Sequence, residues 1–273
     1  MNIQPLLTEE DMLLLRRTEE LYSRADNGIP AMSSFLSPRE QFIIEKRLGA
    51  CFTDDEASPL CFFAGGYPSA ERRILCCLPS YMRYTVSEPN DFDELSEYIL
   101  PLRIASSGYV KLSHRDYLGS MIGLGIERTA IGDILPDDKG AIIFVSPTVA
   151  GLLKNELSHI GRDTVHVTDT TLPDGFDYER AFEHMSGTVA SARLDGVLSE
   201  LARTSREKAK NLILGGFCEH NHFTASRPDA EVTAGDIISV RKTSDCKGGK
   251  FIVDAIGELS NKGRVRLSAR KYL

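Results

Sequence analysis

No apolar run in this 273-residue chain approaches the ~20 residues that a membrane-spanning helix needs. No tract is of low complexity, and no two of the six cysteines are spaced Cys-x-x-Cys. The first absence leaves no transmembrane helix to expect. The second, with 42% hydrophobic residues, marks a chain that is globular throughout. The third removes the paired ligands of a structural zinc. Cys51, Cys61, Cys76, Cys77, Cys218 and Cys246 read instead as reduced, mostly buried thiols. The opening Met1-Asn2-Ile3-Gln4-Pro5, followed by acidic residues, lacks the basic and apolar regions of a secretory signal, so a cytoplasmic location is expected.

Catalytic patterns are absent too. His114-Arg115-Asp116 copies a kinase triplet, but Met121 stands where the metal-binding asparagine belongs and no glycine-rich loop precedes it. Gly119 to Gly125 do not give Gly-x-Gly-x-x-Gly, and read as close-packing positions between helix and sheet. Ser205-Arg206-Glu207-Lys208 matches Ser-x-x-Lys without its partner motifs. With no Ser/His/Asp set, paired carboxylates or methyl-donor loop, no enzyme, cofactor or metal is expected.

What is present is a division of charge. The chain carries 32 basic and 39 acidic residues, a net of −7. Residues 193–273 hold 15 basic and 10 acidic side chains, net +5, leaving 17 against 29, net −12, for residues 1–192. Such asymmetry points to a nucleic-acid-facing end. The run 261–271 alternates cations with apolar residues, as an exposed strand with a basic face would.

Within that end, Leu194, Val197, Leu198 and Leu201 recur at helical spacing. Thr204 and Glu207 form a capping box for a second helix, which Ala209, Leu212 and Ile213 bury and Gly215-Gly216 end. Arg206 and Lys210 lie one turn apart, with Lys208 on the opposite flank, and a polyanion would relieve their repulsion. Arg193, Leu194, Asp195, Leu198, Ser205-Arg206, Ala209, Leu212-Ile213, Gly216, Asn221, Pro228, Val232 and Gly235-Asp236 follow the order and spacing of an S4 domain, and the segment resembles that reader of structured RNA. The resemblance implies a contact surface of Arg193, Ser205, Arg206, Lys208, Lys210, Asn221 and Arg227, with cations on phosphates and Ser205 and Asn221 supplying hydrogen bonds. His220 and His222 depart from it, standing where S4 domains favour an apolar residue and glycine. Cys218-Glu219-His220-Asn221-His222 brings metal-ligand types together, but in an S4 fold it is a turn into a strand. Arg193-Leu194-Asp195 also resembles the aspartate motif of pseudouridine synthases. Only 78 residues follow Asp195 and the S4 pattern takes most of them, so Asp195 reads as ordering the first helix.

Upstream, residues 6–25 predict an amphipathic helix capped by Thr8, with Leu13, Leu14, Leu21 and Tyr22 on its buried side. Ser37-Pro38-Arg39-Glu40 starts another, running to Leu48. Residues 50–53, 60–64 and 73–78 read as short strands. Next comes a β-α-β-β-α-β order: strand 98–104, helix from Ser113 to Leu124, strands 130–135 and 141–145, helix 147–159 and strand 164–169. That is the order of a ferredoxin-like plait. An RNA-recognition motif would carry stacking aromatics at Ala141 and Ile143, so base stacking on that sheet is in doubt, and Phe144 is expected in the core. The helix start near Lys111, Ser113, His114 and Arg115 is a candidate second phosphate contact.

The block 109–134, Tyr-Val-Lys-Leu-Ser-His-Arg-Asp-Tyr-Leu-Gly-Ser-Met-Ile-Gly-Leu-Gly-Ile-Glu-Arg-Thr-Ala-Ile-Gly-Asp-Ile, set before an S4 pattern, closely resembles the bacterial YlmH family. The resemblance implies an α+β multidomain protein: a small N-terminal α/β unit (1–80), a ferredoxin-like RNA-binding plait (81–182) and a C-terminal S4 domain (183–273) of αL-type helices and a small β-segment. It implies a non-catalytic partner of structured rRNA or tRNA at the ribosome, including stalled large subunits carrying peptidyl-tRNA, with neither DNA nor membrane as partner. The alternatives are an RNA-modifying enzyme with an S4 targeting domain, and a division-site scaffold.

Overall fold

Thr8 opens the first helix: its hydroxyl accepts the Asp11 amide at 3.2 Å while the Asp11 carboxylate accepts the Thr8 amide at 2.9 Å. The computed structural model describes residues 7–49, 55–86, 90, 93–178, 180–244, 246–259 and 263–272, and the chain divides into two compact units, Leu6–Tyr178 and Glu179–Leu273. The strand expected at 50–53 lies outside the described residues.

The first unit contains α1 (Glu9–Asp26), β1 (Ala31–Met32), α2 (Pro38–Arg47), β2 (Leu60–Ala64), β3 (Ile74–Leu78), β4 (Leu100–Ser106), α3 (His114–Gly123), β5 (Ile131–Asp137), β6 (Gly140–Val145), α4 (Pro147–Glu156), β7 (His159–Ile160) and β8 (Asp163–Asp169). Ser37 and Glu40 close a reciprocal cap on α2, as its sequence predicts. On α1 Leu14, Leu21 and Tyr22 pack against the core as the sequence predicts, whereas Leu13 is 46% exposed and Leu15 is buried instead. Asp11 is also buried, where Arg39 of α2 grips it with two bonds of 2.6 and 2.8 Å.

Strand β3 lies between β1 and β2, all antiparallel. It is buried on both faces: Leu75 and Cys77 pack towards Leu21, Ala25 and Ile44 of α1 and α2, and Ile74, Cys76 and Leu78 join Phe35, Tyr67 and Phe144. The second sheet runs β5-β6-β4-β8-β7, every pairing antiparallel. Leu102, Ile104, Ala141, Ile143 and Val145 face Tyr117, Met121, Ala150 and Leu153 of α3 and α4. Its other face, carrying Phe144, belongs to the core shared with the three-stranded sheet. The layers are therefore helix, sheet, sheet, helix. Asp133 ties the sheets together, accepting Tyr67 Oη at 2.5 Å and the Glu71 and Arg72 amides at 2.8 and 3.1 Å.

The glycines of α3 do not act as close-packing positions: a Cβ at Gly119, Gly123 or Gly125 would meet no atom within 4 Å. Gly125 instead ends the helix region at φ +81°. The α4 helix stops at Glu156, and His159 starts β7, where the sequence extended the helix.

The second unit comprises β9 (Phe182–Val189), α5 (Leu194–Leu201), α6 (Arg206–Leu214), β10 (Cys218–His220), β11 (Phe223–Thr224), β12 (Ile237–Val240), β13 (Gly249–Leu259) and β14 (Val265–Tyr272) in one antiparallel sheet, β11-β10-β12-β13-β14-β9. Leu194, Val197, Leu198, Ala209 and Ile213 pack onto Ile238, Phe251, Val253, Leu267 and Ala269 of that sheet. The cationic run 265–272 is thus an interior strand, paired on both edges by β13 and β9. Its charges are partly met: Arg270 bonds Asp254 at 2.8 Å and Lys271 bonds Glu183 at 3.3 Å. Among the described residues no helix is long and apolar enough to cross a membrane.

Candidate nucleic-acid interface

The buried carboxylate of Asp195 organises the start of the helix pair. It sits in the first turn of α5, where a negative charge suits the helix dipole. It accepts the Gly196 amide at 2.8 Å, Arg206 Nη2 at 3.1 Å, and Arg193 Nε and Nη2 at 3.4 Å each. Burial pushes the Asp195 carboxyl up, yet the hydrogen bonds from Arg206 and Arg193 outweigh it and hold it below the usual carboxylate range. Two guanidinium groups, 43% and 53% exposed, are thus fixed side by side over one carboxylate, leaving one positive charge in excess. Behind them, the Leu194 and Asp195 amides donate to the Ala230 and Pro228 carbonyls, which anchors the loop carrying Arg227.

Ser205, not Thr204, is the N-cap of α6, its hydroxyl accepting the Lys208 amide at 3.2 Å. The capping box expected at Thr204 and Glu207 does not form: the N-cap lies one residue later, its N3 residue is Lys208, which offers no acceptor, and the Thr204 amide instead closes the end of α5 on the Ser199 carbonyl. Lys208 and Lys210 are exposed, and Lys210 forms no ion pair among the described residues. Arg227 is exposed and bonded to Asp229 at 3.0 Å.

Asn221 has a different task. With φ values of +49° and +69°, Asn221 and His222 form a two-residue turn with positive φ at both central positions between β10 and β11. The Asn221 amide nitrogen donates to Asp236 at 2.8 Å, and its oxygen accepts the Ile237 amide at 2.9 Å. His220 Nε2 meets the other Asp236 oxygen at 2.7 Å. Burial raises the Asp236 carboxyl, and the hydrogen bonds from His220, Asn221 and the Thr233 amide bring it below its ordinary value. These side chains lock the turn. Cys218, beside them, is buried, and burial pushes its thiol up to about 12, far from a metal-binding thiolate at neutral pH.

At α3 the sequence-predicted second contact is partly filled from within. Ser113 gives both its amide and its hydroxyl to Asp116, each at 2.7 Å, so a carboxylate already occupies the helix start. Lys111, His114 and Arg115 are exposed around it. Sequence reasoning singled out Asp195 only as a helix-ordering residue. Its grip on two arginines had one signal in the sequence, a carboxylate two residues after Arg193 and eleven before Arg206.

Residues 98–174 match a family model described as "Putative RNA-binding domain in YlmH". The chain is 31% identical over 215 residues to the "Ribosome-associated protein quality control protein P2" of Bacillus subtilis (strain 168), covering 79% of each protein. A solved structure, "Cell division protein ylmH from Streptococcus pneumoniae", is similar with a TM-score of 0.46 and 23% identity, over 62% of this chain and 96% of that one.

Proposed function

This chain belongs to the YlmH family, and on that premise we propose that it is a non-catalytic, cytoplasmic RNA-binding protein that docks on structured rRNA or tRNA at the ribosome, including stalled large subunits with peptidyl-tRNA. Segments 1–80, 81–182 and 183–273 are then an α/β unit, a ferredoxin-like plait and an S4 domain. The plait reading is supported by the antiparallel order β5-β6-β4-β8 across a β-α-β-β-α-β chain. The S4 reading is supported by the burial of Leu194, Leu198, Ala209, Ile213 and Val232 and by the bonding of Asn221 to Asp236.

The observation that carries the RNA surface is the pair of arginines held over Asp195 beside the exposed Lys210, in a segment of net charge +5. Arg193, Arg206, Lys208, Lys210 and Arg227 meet phosphates, Ser205 caps the helix presenting three of them, and Asn221 fixes the adjoining turn. The relatives support the partner: the matching family is described as RNA-binding and the Bacillus subtilis protein as ribosome-associated. With about four to six phosphate contacts, the slope of log affinity against log salt is roughly −0.7 to −0.9 per contact. Co-sedimentation with ribosomal subunits across a salt series tests this. Arg206→Glu/Lys210→Glu should lose association at moderate salt and flatten the slope by about two contacts. Unchanged association would reject the surface.

A further inference from the structure

The sheet of the first unit has no free face for a base to stack on. Ala141 and Ile143 of β6 lie under α3 and α4, and Phe144 is buried among Phe35, Ala64 and Tyr67. Base stacking on this sheet must therefore use its rim.

One end of the sheet is built differently from the rest. The Ser106 amide donates to the Lys139 carbonyl and the Ser107 amide to the Thr164 carbonyl, each at 3.0 Å. Both serine hydroxyls bond the fully buried Asp163. These bonds gather the β4–α3 loop, the β5–β6 hairpin and the β7–β8 turn at one place. From that pinned base Tyr109 stands 81% exposed, its side chain without a partner among the described residues, followed by Val110 at 42%. Lys111, Arg115, Lys139 and Arg162 are exposed at the same end, and none forms an ion pair among the described residues. The carboxylates there are mostly committed: Asp116 to Ser113, Asp137 to Arg103 and Asp163 to the two serines, leaving Asp138.

We propose that Tyr109 stacks on an unpaired base of the bound RNA while Lys111, Arg115, Lys139 and Arg162 hold the adjoining phosphates. This rests on the RNA-binding reading above and adds a second, independent contact to it. An exposed ring at the same end of the sheet as four exposed cations fits a nucleotide, which offers a π face and a phosphate together. A protein partner would call for a broader apolar area than one ring and one valine.

The chain contains no tryptophan, so Tyr109→Trp places a single indole at the site. The full-length variant is titrated with single-stranded oligo(A) and with the oligo(A)·oligo(U) duplex, following emission and anisotropy. The single strand should quench the indole and the duplex should not. Tyr109→Phe should keep its affinity for the single strand, and Tyr109→Ala should lose it about five- to a hundredfold. The quenching should persist in an Arg206→Glu/Lys210→Glu background. If that background keeps ribosome binding while the indole is still quenched, the S4 surface fails and this contact stands. Unchanged emission at saturation, or a Tyr109→Ala protein binding like the parent, overturns the proposal. So does a Tyr109→Ala protein that keeps oligo(A) but loses ribosomes, which would assign the ring to a protein.

Discussion

Replacing Asp195 by asparagine separates bulk charge from geometry at the proposed RNA surface. The substitution removes a negative charge next to Arg193 and Arg206, so attraction to phosphate alone should strengthen binding. A phosphate about 10 Å away gains only about 0.4 kcal/mol in water from the lost repulsion. Against this, the asparagine side chain offers one carbonyl oxygen where the carboxylate accepted four donors. Both arginines become mobile and must be ordered again on binding, at about 0.5–1.5 kcal/mol each. Geometry wins by about 0.6–2.6 kcal/mol, so affinity for ribosomal subunits should fall roughly three- to eightyfold despite the gain in net charge. The stability cost should be modest, about 1–2 kcal/mol, because the released guanidinium groups are already 43% and 53% exposed and rehydrate. The assay pairs subunit co-sedimentation with urea unfolding, each on parent and variant. A variant that binds as tightly as the parent, or tighter, would refute the claim that Asp195 positions the arginines.

Asp133→Ala, which strands two backbone amides and the Tyr67 hydroxyl, should cost about 3–5 kcal/mol in denaturant, and Tyr67→Phe about 1–2 kcal/mol, with the losses non-additive in the double variant. Gly140 has φ +141° and a Cβ there would lie 1.9 Å from the Ile104 carbonyl oxygen of β4, so Gly140→Ala should push β6 away from β4 and lower stability by more than about 3 kcal/mol in thermal melts. His222 occupies a left-handed position at φ +69°, and His222→Gly should raise stability by about 0.5–1 kcal/mol, read from the urea midpoint. The Asp11 carboxyl is held far below its ordinary value, first by its hydrogen bonds to Arg39. Its folded pKa is depressed, so its stabilisation is complete above about pH 4–5 and is lost as pH falls below that. Acid unfolding of the parent should therefore be steeper than that of Arg39→Met, the difference being about 1–2 kcal/mol after allowing for the solvent exposure of Arg39.

The parts legible in the sequence are those that residues three or four apart decide. Thr8 with Asp11 and Ser37 with Glu40 cap their helices through contacts of that span, and Phe144 lies in the core as expected. Where two local solutions compete, the sequence misleads by a residue: Thr204 and Ser205 both carry hydroxyls, and only the closure of α5 on the Ser199 carbonyl selects between them. Strand β9 went unread because its segment carries Gly187 and a weak alternation, and it exists by pairing with β14 some 80 residues later. Strand β1 is two residues long and is held by β3. Asn221 was expected to face RNA, since nothing local distinguishes an amide offered to a ligand from one bonded to Asp236 across the turn. The covering of the five-stranded sheet by Phe35, Ala64 and Tyr67 is likewise a long-range fact.

Photocrosslinking the full-length protein to ribosomal RNA, followed by mass spectrometric mapping of the modified peptides, tests the central claim most directly. Crosslinks should include residues 193–227, around Arg193, Ser205–Lys210 and Arg227, and should vanish there in Arg206→Glu/Lys210→Glu. A map in which RNA reaches other parts of the chain and leaves 193–227 unmodified would contradict it.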